Sequence, residues 1–187
     1  MIHKSLKLVK KKVKNIALRT CLAGRFDEER VFILTSSPRS GSTLLGQVLG
    51  AIPDSCTLFE PLHPTYVPQA EKAGFSWRTF VSPEEQWPKG EEFLKRVFEG
   101  KMINDWTARE MSFRKARKSK RMIIKFVRAN RLLPWICRRF RIPAPILLLR
   151  HPCAVISSQL NYGWKNAVRP QAPGYLDGYP EFELAIS

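Results

Sequence analysis

The sequence predicts an α/β fold of the P-loop-like kind, three layers α/β/α around a parallel central sheet, and three observations carry that reading. Apolar runs with the character of buried strands recur along the chain. Each is followed by a helical pattern rather than by a hairpin turn. Charged and hydroxyl residues gather just past the ends of the runs: Ser36 to Thr43, Glu60, Arg128 and Arg150. Ligands of parallel sheets sit at the carboxyl ends of the strands, so these residues are expected to converge on one edge. At 187 residues and 44% hydrophobic content, the chain is long enough for one domain with a real core.

The order of elements begins with a basic N-terminal segment, residues 1–25. Met1 to Thr20 holds seven Lys/Arg and no acid, with Leu6, Leu8, Val9, Val13, Ile16 and Leu18 interleaved. Two readings fit: a solvated terminus, or an amphipathic segment resting on an anionic membrane. The domain proper covers 30–187. Its first strand is expected near Arg30 to Thr35, followed by a helix from Ser42 to Gly50 and a short strand near Cys56 to Phe59. An insertion follows at about 61–118, rich in Pro, Gly, Trp and acids as far as Gly100. Helical fragments are expected there at Glu91 to Glu99 and Met102 to Arg117. Its Trp77, Trp87 and Trp106 either cover core or offer flat apolar faces to an acceptor. A strand near Arg121 to Val127, a helix from Asn130 to Arg139, a strand near Pro145 to Leu149 and a helix from Cys153 to Tyr162 complete the alternation.

The stretch Val31 to Gly50, VFILTSSPRSGSTLLGQVLG, has the layout of a phosphate-binding loop: strand, short turn, helix. N–H groups at a helix start lack intrahelical partners, and the helix dipole adds partial positive charge. Gly41 permits close approach of an anion, while Arg39, Ser40, Ser42 and Thr43 supply charge and hydroxyls. The ATP-type loop requires two glycines followed by Lys and Ser/Thr. One glycine preceded by an arginine argues against a nucleoside triphosphate and against a nucleotide kinase.

The segment SSPRSGSTLL resembles the 5′-phosphosulfate loop of sulfotransferases that use 3′-phosphoadenosine 5′-phosphosulfate (PAPS), closest to the carbohydrate sulfotransferase branch. ILLLRHPCAVISSQL resembles the same family's 3′-phosphate motif, with Arg150, Pro152 and Ser158 in its characteristic places. IIKFVRANRLLPWI resembles the middle strand and helix, and PDSCTLFEPLH the region that delivers a Glu-Pro pair. The four segments stand in family order from Val31 to Lys165. His151 and Cys153 depart from the family pattern. Relatives also continue well past the 3′-phosphate helix, whereas only NAVRPQAPGYLDGYPEFELAIS follows here, so the resemblance implies a domain incomplete at its C-terminus.

The resemblance implies transfer of a sulfuryl group from PAPS to a hydroxyl of a glycan or lipid. Such transfer asks for positioning and for positive groups facing the oxygens that gain charge. Ser37, Pro38, Arg39, Ser40, Gly41, Ser42 and Thr43 are expected to hold the 5′-phosphosulfate, Arg39 also stabilising the leaving phosphate. Arg150 and Ser158 are expected to grip the 3′-phosphate. Arg128 is preferred to Lys125 as a further cofactor ligand, being nearer the strand end. Glu60 is the candidate general base. His63 is the alternative, because imidazole ordinarily titrates near neutrality. The competing class is a truncated, non-catalytic relative that binds nucleotide or an anionic surface.

The net charge of +16, from 32 Lys+Arg against 16 Asp+Glu, favours polyanionic partners such as PAPS or an anionic membrane. The two basic runs, Met1 to Thr20 and RKARKSKR at Arg114 to Arg121, lack the interleaved aromatics of a nucleic-acid platform, so no specific nucleic acid is expected. Cys21, Cys56, Cys137 and Cys153 are scattered without metal-ligand spacing, so no metal is expected. Free thiols, no secretory pattern and no apolar run of membrane-spanning length together predict a cytoplasmic protein, peripheral to a membrane if the basic segment binds one.

Overall fold

The computed structural model describes residues 2–162 apart from Arg78 and Arg128, with side chains from Val9 onward. Four strands form one all-parallel sheet in the order β2-β3-β1-β4: β1 Val31–Ser36, β2 Ser55–Phe59, β3 Arg121–Phe126 and β4 Ile146–Leu148. Helices flank it: α1 Ile2–Leu22, α2 Ser42–Gly50, α3 Pro68–Lys72, α4 Pro88–Phe98, α5 Phe113–Lys118, α6 Leu133–Arg139 and α7 Pro152–Asn161. The strands and helices of the alternating pattern stand where the sequence predicts them, within one or two residues at most ends. The asparagine at the predicted start of α6 instead opens a 3-10 turn, Asn130–Leu132, that leads into it.

Period-two alternation divides the sheet residues between its faces. Ile33, Cys56, Leu58, Met122, Ile124 and Phe126 join the main apolar cluster with Phe93, Leu94, Val97, Trp135 and Ile136 from α4 and α6. On the other face α2 lies close over the strands. A Cβ at Gly46 would touch Leu34 and the Lys125 stem, and one at Gly50 would collide with Thr57 Oγ1. The small residues of α2 therefore set its distance from the sheet.

The insertion's first expected fragment forms as α4. The second does not: of the expected span Met102 to Arg117, only the part from Phe113 onward, within α5 Phe113–Lys118, is helical. Asn104 is the physical reason, because its side-chain oxygen accepts from the N–H groups of Trp106 and Thr107 at 2.8 and 2.9 Å, replacing helical bonds with a turn. That turn also covers the sheet edge, since Thr107 O accepts from Phe59 N at 2.8 Å. Of the three tryptophans, Trp87 is partly buried and packs against Phe75 and Trp135 beside the core cluster.

The basic segment is helical, and its C-terminal end belongs to the core. Leu18 and Leu22 are fully buried, Arg19 donates to Ile103 O at 2.8 Å, and Gly24 N–H donates to Glu99 O at 2.8 Å. Val9, Val13 and Ile16, spaced along another face of α1, are exposed. No helix among the described residues is long and apolar enough to cross a membrane. The side chains of Leu6 and Leu8, and the segment after Tyr162, lie outside the described residues.

Candidate functional site

The loop between β1 and α2 takes its shape from two left-handed residues. Arg39 has φ 68° and Gly41 φ 93°. A Cβ at Gly41 would meet no protein atom, so the demand for glycine there is conformational rather than steric. Ser40 N–H donates to Ser37 O at 3.3 Å, which closes the turn, and Gly41 O accepts the first helical bond, from Leu45 N–H at 3.2 Å. Among the described residues, no side chain caps the helix. The N–H groups of its first turn therefore remain available at the loop. Asn130 braces the assembly from β3's side: it accepts from Thr35 Oγ1 at 2.6 Å and donates to Ser37 Oγ at 3.4 Å.

β4 and α7 bring the second arginine against this loop. Arg150 Nη1 donates to the Arg39 carbonyl at 2.9 Å, Arg39 Nε donates to Ser158 Oγ at 3.2 Å, and the Arg39 guanidinium lies 4.5 Å from the Tyr162 ring centroid. Arg39, Arg150 and Ser158 thus form one contiguous group, although the family resemblance assigns them to opposite ends of a cofactor. They line two adjoining cavities of about 410 and 500 Å³, sizes ordinary for small-molecule sites. The larger is also lined by Pro38, Gly41, Ser42, Thr43, Phe59, Glu60 and Lys125.

Glu60 enters this cavity from the end of β2 with φ 40°, an unfavourable conformation for a residue with a Cβ. Its N–H donates to Lys125 O at 2.8 Å, continuing the β2–β3 ladder one residue beyond the strand. Its carboxylate Oε1 accepts from Lys125 Nζ at 2.7 Å. Lys125 is 2% exposed, its stem beneath α2 and its ammonium 4.0 Å from the Phe59 ring centroid. A buried ammonium needs a partner, and Glu60 provides one. Positive φ at two non-glycine residues lining one cavity, Arg39 and Glu60, costs about 1–3 kcal/mol each and is typical of functional sites.

The remaining predicted residues fare differently. Ser37 and Ser40 shape the loop without lining the larger cavity. His63 does not line it either. The residue is 8% exposed, and Nδ1 accepts from Tyr66 N–H at 3.3 Å, so it is packed into an aromatic cluster rather than presented to the cleft. Arg128 lies outside the described residues. Lys125 and Tyr162 are the residues that the sequence undervalued. Only the first left a signal: a lone charge inside the apolar strand MIIKFV requires a buried counter-charge.

Two further groups define the local electrostatics. Burial raises the Glu110 carboxyl above its ordinary range, an effect partly offset by the nearby charges of Lys125 and Arg109. Burial pushes the Cys56 thiol up to about 11, so it stays protonated and inert. Among the described residues, no group of three or more His, Cys, Asp and Glu is placed to hold a metal ion. In comparisons with protein-family models, curated proteins and solved structures, the chain matches none.

Proposed function

We propose that this chain is a PAPS-dependent sulfotransferase domain of P-loop-like three-layer type, transferring a sulfuryl group to a hydroxyl of a glycan or lipid. The single observation that supports this most strongly is the shared cleft. Arg39, the open helix start at Gly41 to Thr43, Arg150, Ser158 and the Glu60–Lys125 pair all line it. Two guanidinium groups and a helix N-terminus suit a ligand with several anionic groups better than a neutral one.

In this reading the 5′-phosphosulfate rests on the N–H groups of Ser42 and Thr43 with Arg39 beside it, and Arg150 and Ser158 take the 3′-phosphate. The acceptor oxygen forms a bond to sulfur as the sulfur–oxygen bond to the 5′-phosphate breaks. Glu60 takes the acceptor proton, which neutralises its carboxylate and ends its charge pairing with Lys125. The cleft becomes more positive by one unit just as the leaving phosphate becomes more negative by one. Lys125 thereby contributes charge stabilisation at the moment when it is needed.

The test is calorimetric titration with adenosine 3′,5′-bisphosphate and with adenosine 5′-phosphate. The bisphosphate is expected to bind at least about tenfold tighter, on the scale of one charge-assisted contact of about 1.5–3 kcal/mol. Equal affinities refute the assignment. A second reading, association with an anionic membrane, is favoured by one observation: Val9, Val13 and Ile16 are exposed together on a helix rich in lysine.

A further inference from the structure

We infer that Tyr162, at the C-terminal cap of α7, is the positioning residue for Arg39: its ring holds the guanidinium on the wall between the two cavities and leaves the edge donors open to an anion. This rests on the reading of the cleft as the site of a ligand with several anionic groups, and adds a residue to it. Arg39, Arg150, Ser158 and Tyr162 line both cavities, so they form the wall that the two share. Arg39 is exposed. An exposed arginine loses much rotamer freedom when a ligand fixes it, and a contact that holds it beforehand lowers the cost of binding.

The loop backbone fixes where the side chain begins. Arg39 is left-handed, Ser40 N–H donates to Ser37 O across the turn, and the Arg39 carbonyl accepts from Arg150 Nη1 at 2.9 Å. α7 fixes where it ends. Ser158 and Tyr162 are four residues apart and so share one side of the helix, and the turn between them is closed by Tyr162 N–H donating to Ser158 O at 3.2 Å. Ser158 Oγ accepts from Arg39 Nε at 3.2 Å, and the Tyr162 ring centroid lies 4.5 Å from the guanidinium carbon. Gln159 Nε2 donates to Pro38 O at 3.5 Å, which ties the same helix to the loop a second time.

The kind of partner matters to what Arg39 can do. A carboxylate would hold the guanidinium more strongly, but it would offset the charge and occupy the edge donors that recognise phosphate. An aromatic ring attracts the cation through its quadrupole and meets only the flat side. Ser158 takes the Nε donor, and those of both Nη atoms remain for a ligand. Among the described residues, no carboxylate pairs with Arg39 or with Arg150. Tyr162 is 63% exposed, so core packing does not account for its place on this wall.

The experiment is two-dimensional NMR of the full chain with 15N-labelled arginine, in which the Arg39 Nε–H signal is identified by its loss in Arg39→Lys. Tyr162→Leu removes the ring and should move that signal, whereas Tyr162→Phe keeps the ring and should leave it in place. Calorimetric titration with adenosine 3′,5′-bisphosphate reads the consequence: Tyr162→Leu should bind it about three- to tenfold more weakly, and Tyr162→Phe within about twofold of the natural chain. An Arg39 signal unmoved by Tyr162→Leu overturns the inference. So does an unchanged affinity in that variant, or an equal loss in Tyr162→Phe. Should Tyr162→Leu not fold, the nuclear Overhauser contact between the Tyr162 ring and the Arg39 side chain in the natural chain decides, and its absence overturns the inference. Parallel titration with pyrophosphate separates the two claims. Bisphosphate binding that Tyr162→Leu leaves intact refutes only the role of Tyr162. Pyrophosphate binding without bisphosphate binding refutes the sulfotransferase reading, and the effect of Tyr162→Leu on pyrophosphate then decides the role of Tyr162; a natural chain that binds neither refutes both.

Discussion

Replacing Lys125 by Met tests whether the Glu60–Lys125 pair holds the cleft together. Methionine preserves most of the unbranched stem that packs beneath Gly46, so the change removes mainly charge. Two interactions disappear: the 2.7 Å ion pair, whose carboxylate partner is 12% exposed, and the contact with the Phe59 ring at 4.0 Å. Stripping one partner from a buried pair costs about 3–5 kcal/mol. The lost cation–π contact adds about 0.5–2 kcal/mol. Against a total stability of about 5–15 kcal/mol, that is a large fraction. Glu60→Gln should cost less, about 1.5–3 kcal/mol, because the amide oxygen still accepts from the ammonium. The double variant should recover to within about 2 kcal/mol of the natural chain, since replacing a buried pair by neutral residues is often tolerated. Urea unfolding followed by tryptophan fluorescence reads all four proteins. If the two single losses simply add within about 0.5 kcal/mol, the pair is not coupled and the reasoning fails.

Glu60→Gln, once shown to be folded, should lower sulfuryl transfer by about 100-fold or more in an assay with radiolabelled PAPS, and a wild-type rate removes Glu60 as the base. Arg150→Ala should weaken adenosine 3′,5′-bisphosphate by about tenfold or more in calorimetry, and weaken the 5′-phosphate less; equal losses would mean that Arg150 acts only by holding the Arg39 carbonyl. Replacing Val9, Val13 and Ile16 together by Ser should reduce cosedimentation with phosphatidylglycerol vesicles by about tenfold or more while the fold persists, because Leu18 and Leu22 remain in place; unchanged cosedimentation dismisses the membrane reading. The folded pKa of Glu110 is raised, so the group costs stability above that pKa, and the cost disappears as pH falls below the unfolded value near 4.5. Glu110→Gln should therefore raise the melting temperature at pH 7 and lose that advantage at pH 4, as checked by calorimetric scans; a lower melting temperature at pH 7 would show that attraction to Lys125 and Arg109 outweighs burial.

Sequence alone was enough for the alternation of strands and helices, because buried parallel strands are continuous apolar runs and helices carry a different period. It was also enough to place Arg39, Gly41, Glu60 and Arg150 near one sheet edge, since each follows an apolar run and strand ends of a parallel sheet share a side. It failed where the outcome depends on a side chain competing for backbone hydrogen bonds or on distant partners. The helix expected from Met102 to Arg117 yields to Asn104 because a side chain competes for its backbone N–H groups, and helical period does not report that competition. His63 reads as a possible base from its chemistry, but its packing between Tyr66, Trp77 and Trp106 depends on residues from separate parts of the insertion. Leu18 and Leu22 read as part of a basic terminus until α1 is seen docked beside Ile103. Lys125 is the clearest case. Its position on β3 is local information, yet its role depends on β2 lying beside it in a register that brings Glu60 alongside. Strand order and register arise from side-chain packing across the whole sheet, and only the tertiary structure decides them.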